Sequence, residues 1–60
     1  MKFKAGDLIS RQGYQGVIWL ILEADSTNYY KVLTSQGITL NRIYIYENVW
    51  KLESRIERRG

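Results

Sequence analysis

Val17-Ile18-Trp19-Leu20-Ile21-Leu22-Glu23 is the stretch on which the fold turns. Its first six residues are aliphatic or aromatic, with no Gly or Pro among them. A β-branched and aromatic run of this length is the signature of a strand rather than a surface helix. Upstream lies Arg11-Gln12-Gly13-Tyr14-Gln15-Gly16, a polar loop with two glycines three apart. Downstream lies Asp25-Ser26-Thr27-Asn28, whose side chains can hydrogen-bond the backbone of a turn. Tyr29 to Thr34 then resumes the strand pattern.

The same alternation of strand and turn extends to both ends. Gly6-Asp7-Leu8-Ile9 is a short opening strand. Ser35-Gln36-Gly37 is a tight turn, Ile38-Thr39-Leu40 and Ile43 to Tyr46 are strand-like, and Val49 to Glu53 forms a last strand after Glu47-Asn48. Short strands spaced near ten residues apart predict an all-β fold, a small five-stranded antiparallel barrel or sandwich. A rival reading makes Val49 to Arg59 a helix, since Val49, Leu52 and Ile56 keep a spacing of three and four. The expected division is a barrel over residues 1–53 and a basic tail over 54–60, loose or a short helix.

Alternation assigns inside and outside. If Glu23 and Lys31 face water, Ile18, Leu20, Leu22 and Tyr30, Val32 face inward. The expected core is Leu8, Ile18, Leu20, Leu22, Val32, Leu40, Ile43 and Leu52. Val17, Trp19, Ile21, Tyr29 and Leu33 then form one outward apolar patch, a candidate protein interface. A monomer rarely leaves such a patch in water, so a partner is expected, a second copy first of all. The alternative places Trp19 inside and Leu20 outside, which buries Glu23 beside Trp19 unless the strand ends there. Parity also changes between Leu40 and Ile43, which predicts a bulge near Asn41-Arg42.

Composition narrows the chemistry. Sixty residues make one small domain of modest stability. Zero Cys and zero His exclude a disulfide framework, a Cys/His metal site and thiol or imidazole catalysis. No cofactor, small-molecule substrate or enzymatic activity is expected. Glu23 and Asp25 read as a turn edge rather than as a metal pair. The net charge is +3, yet residues 5–53 carry four basic and five acidic side chains. The positive excess therefore lies at Lys2 and Lys4 and at Arg55, Arg58 and Arg59. The longest apolar run is far short of the roughly 20 residues of a membrane span, and the opening Met1-Lys2-Phe3-Lys4 lacks a leader's apolar stretch. A cytoplasmic location without membrane contact is expected. The aromatic residues outnumber what so small a barrel can bury. An alternative binding surface for nucleic acid therefore combines Arg11, Tyr14, Arg42 and Tyr44 with Arg55, Arg58 and Arg59.

Lys4-Ala5-Gly6-Asp7-Leu8-Ile9, Gly16-Val17-Ile18, Tyr30-Lys31-Val32-Leu33, Gln36-Gly37 and Glu47-Asn48-Val49 resemble, in that order, the strands of Src-homology-3-like barrels. The pattern is similar to small barrel proteins encoded by tailed phages, including those of marine bacteria. The resemblance implies a non-catalytic accessory protein that acts through protein contacts or self-association, in the host cytoplasm if phage-encoded. Members that bind Pro-rich peptides carry an acidic first loop, whereas Arg11-Gln12-Gly13-Tyr14 has no acid. Gly13, Gly16, Val17 and Ile21 also resemble, more weakly, the Kyrpides–Ouzounis–Woese module, whose members bind RNA or protein.

Overall fold

Two turns bend the backbone where the sequence permits it. Asn28 takes φ 67° between the second and third strands, a conformation that Asn tolerates better than most residues. Gly37 takes φ 84° in the next turn. There its N–H donates to Thr34 O at 3.0 Å, and the Thr34 hydroxyl accepts from Ile38 N at 3.1 Å. The strands they join are β1 (Asp7–Arg11), β2 (Ile18–Ser26), β3 (Tyr29–Thr34), β4 (Thr39–Tyr44) and β5 (Trp50–Arg55). The computed structural model describes residues 2–55. Arg58, Arg59 and most of the expected tail lie outside the described residues.

The chain is all-β, with five antiparallel strands in one sheet of order β4-β3-β2-β1-β5. This is the five-stranded architecture expected. The sheet curls about one core but is not closed, because β4 and β5 remain its two edges. Val49–Trp50 leaves a one-turn coil, in which both N–H groups donate to Tyr46 O, and enters β5 rather than a helix. Among the described residues no helix is long and apolar enough to cross a membrane.

The core is Phe3, Ile9, Ile21, Tyr30, Val32, Ile45 and Trp50, with Val17, Trp19, Ala24, Leu40, Ile43 and Val49 packed against it. Val32, Leu40 and Ile43 are where the sequence places them. Leu8 is not, because Asp7 and Ile9 take the inward positions of β1. Ile18, Leu20 and Leu22 are not, and there the reason is a bulge. Ile21 pairs with Val32, while Glu23 pairs with Lys31, so Leu22 is an extra residue on β2. Glu23 does face water, as its parity requires. On the far side of Leu22 the parity reverses, bringing Ile21 and Trp19 inward and turning Leu20 and Ile18 outward. Leu52 stands opposite Ile9, but on the edge strand it stays 42% exposed.

The one bulge expected from the sequence is present as well. Val32 pairs with Leu40 and Tyr30 with Ile43, which leaves one extra residue at Asn41-Arg42. That insertion lets Leu40 and Ile43 face the same core. The N-terminal segment packs against β2 and β3. Phe3 N donates to the Tyr30 hydroxyl at 3.3 Å, their rings stand 6.0 Å apart, and Gly6 N donates to Ile21 O. Asp7 is fully buried and closes this turn, its Oδ2 accepting from Lys4 N at 3.0 Å.

Candidate binding surfaces

Three surface features result from these registers. The first is an apolar row across the outer face. Leu8 on β1 stands opposite Leu20 on β2, which stands opposite Leu33 on β3. Ile18, one outward position further along β2, is 42% exposed. Outer faces of antiparallel sheets ordinarily carry polar side chains, so three leucines in one cross-strand row are a departure. Charged side chains flank the row at both ends. Lys31 and Glu23 are 3.9 Å apart at one end. At the other, the Ser10 hydroxyl donates to Glu53 Oε1 at 2.7 Å, and Lys51 Nζ lies 3.4 Å from the same oxygen. The Ser10 hydroxyl, and then the Lys51 ammonium, hold the Glu53 carboxyl below its ordinary range.

This row replaces the expected interface patch. Ile21 is buried at 1% exposure, and Trp19 packs against the core with its ring 4.4 Å from that of Trp50. Val17 also packs on the core. Of the five residues expected outward, Leu33 belongs to the row and Tyr29 belongs elsewhere. The sequence contained the signal in Ile18-x-Leu20, but only on the reversed parity.

The second feature is a tyrosine ladder where β3 and β4 meet. Tyr29 and Tyr44 pair in register, and their rings meet edge to face at 5.3 Å. Tyr44 meets Tyr46 in the same manner at 4.8 Å. The Arg42 guanidinium lies 4.1 Å from the Tyr29 ring centroid, within cation–π range, and its Nε donates to Asp25 Oδ2 at 2.9 Å. Asn28 Nδ2 donates to the Tyr44 hydroxyl. Tyr44 and Tyr46 are 45% and 60% exposed. Tyr29 and Arg42, assigned from sequence to different surfaces, are thus brought together, and Tyr46 joins them.

The third feature is the β1–β2 loop. Arg11 lies over the Tyr14 ring at 4.4 Å, and Gln12 N donates to Val49 O. A cleft of about 880 Å³ is lined by this loop and by the segment 47–53, with Lys2, Arg11, Tyr14, Glu47 and Lys51 among its walls. Lys2 Nζ donates to Glu47 O at 3.3 Å. A smaller cleft on the other side of the loop is lined by Val17, Trp19, Ile38 and Leu40. Arg55 ends β5, opposite Asp7. Among the described residues no three acidic side chains gather in a way that would hold a metal ion. No family model, curated protein or solved structure matches the chain.

Proposed function

We propose that the chain is a non-catalytic binding module that acts through protein contact, and that its first partner is a second copy of itself. The observation that carries this reading is the Leu8–Leu20–Leu33 row on the outer face. Its centre is apolar and its two ends carry mixed charge, the layout of a core and rim. Each end holds both an anion and a cation. A copy related by a two-fold axis therefore meets opposite charges at the rim while the leucines pack at the centre. Covering the row would also add apolar burial to a domain too small to bury much by itself.

A relationship to Src-homology-3-like barrels, with the phage origin and host cytoplasm that go with it, belongs to the same proposal. The sharing of β1 between β2 and β5 supports it.

Sedimentation across a concentration series tests self-association. Wild type is expected to move from monomer to dimer as concentration rises. Leu20→Lys is expected to remain folded and monomeric throughout, because Leu20 is outside the core. A wild type that stays monomeric at the highest concentration would reject the dimer.

A further inference from the structure

We infer that the tyrosine ladder and the adjoining cleft form a binding site for single-stranded nucleic acid, separate from the leucine row. The ladder supplies rings. Tyr29, Tyr44 and Tyr46 succeed one another at 5.3 and 4.8 Å, and the last two are open to solvent. Bases stack on such rings without regard to sequence, because every base has a π-face. Rings in edge-to-face contact at these distances admit no base between them, so bases would stack on the solvent-open sides of Tyr44 and Tyr46.

Cations are placed where a backbone leaving the ladder would run. Arg42 sits over the first rung. Tyr46 is followed by Glu47, whose carbonyl holds Lys2. The cleft that Glu47 lines is also lined by Arg11, which lies on Tyr14, a third exposed ring. Cations therefore stand at both ends of the site, Arg42 on the first ring and Lys2 and Arg11 at the cleft. The N-terminal lysine, part of the positive excess at the chain ends, is folded against the body at this point.

Three acids temper the field. Asp25 is bonded to Arg42, and Glu47 and Glu53 line the cleft, Glu53 paired with Lys51. The site therefore offers about two effective phosphate contacts, from Lys2 and Arg11. For single strands this gives a slope of log affinity against log salt near −1.4. The site is expected to be stacking-dominated, with only mild salt dependence. The cationic loop at Arg11 also makes the site a poor match for a peptide with a basic anchor.

Fluorescence anisotropy on the full chain tests the proposal, with a labelled oligothymidylate, an oligouridylate and a duplex as probes. Both single strands are expected to bind more tightly than the duplex, with the mild slope given above. The difference between thymidylate and uridylate tells whether DNA or RNA is preferred. Tyr46→Ala is expected to weaken binding at least about fivefold, the lower end of what one stacked base is worth. Tyr46→Trp is expected to restore it. Tyr46 is exposed enough that its truncation should leave the thermal melt unchanged, so a loss of binding is a loss of the site. Absence of binding at low salt would overturn the proposal. So would equal affinity in wild type and Tyr46→Ala, or capture of a Pro-rich peptide in place of the oligonucleotides.

Discussion

The two faces of β2 carry nearly the same chemistry and meet different fates. Trp19 and Ile21 face the core, while Ile18 and Leu20 face out. All four are large and apolar, so hydrophobicity does not choose between the faces. Shape does. The inner face gathers the wide rings, Trp19 against Trp50 and Phe3 against Tyr30. Rings remove more surface from water than leucines and fill a curled sheet with few residues. The reverse arrangement would bury leucines and leave a tryptophan in solvent. The bulge at Leu22 makes the observed choice compatible with an exposed Glu23.

Charge substitution gives the largest expected contrast between these faces. Trp19→Lys puts an ammonium against Trp50 and the core, where no partner can compensate its desolvation. Loss of the cooperative thermal transition, followed by circular dichroism, is the expected outcome. Leu20→Lys, one residue along, should keep a cooperative melt. Equal behaviour of the two variants would mean that the faces are not distinct.

Truncation gives the next contrast. Ile21→Ala should cost about 2–5 kcal/mol, the usual range for a large core aliphatic. A domain of this length is expected to have only about 3–9 kcal/mol in total, so this variant should lie near its unfolding threshold. Leu20→Ala, measured dilute enough to keep the chain monomeric, should cost about 1 kcal/mol, because part of that side chain already meets water. Urea denaturation of the pair measures the difference directly.

How much of this was legible depends on whether a bulge disturbs the apolar pattern. At Asn41-Arg42 two polar residues interrupt the alternation, so the break shows in the sequence and the structure places an insertion there. At Leu22 the extra residue is itself apolar and lies inside an unbroken apolar run. Both parities then read equally well, and Glu23 marks the wrong side for everything before it. β3 has no such ambiguity, and Tyr30 and Val32 are inward as Lys31 implies. Phe3 was illegible for another reason. It stands between two lysines and becomes core only through Tyr30, which lies 27 positions away. The tyrosine ladder likewise depends on the β3–β4 register, which brings Tyr29 opposite Tyr44. Composition could show that some aromatics must be exposed, but not which ones meet.

The smallest expected effect lies at the rim of the outer face, at Glu53. The Ser10 hydroxyl is the larger cause of its lowered pKa and the Lys51 ammonium the smaller. A carboxyl whose folded pKa lies below its unfolded value stabilises the fold above the unfolded value. That contribution is lost as pH falls through the folded one. Acidification through and below the ordinary glutamate range should therefore remove it, while neutral and alkaline pH leave it intact. Because Glu53 lies at the surface in reach of solvent, the change in stability should be slight, and the titration itself is the better measurement. Following the Glu53 side-chain carbon by NMR, Ser10→Ala should raise its pKa toward the ordinary value. Lys51→Gln should raise it less. Added salt should weaken the Lys51 contribution by screening, whereas the short hydroxyl bond should persist. A larger shift from Lys51→Gln than from Ser10→Ala would mean that charge outweighs the hydroxyl bond between β1 and β5 at this rim.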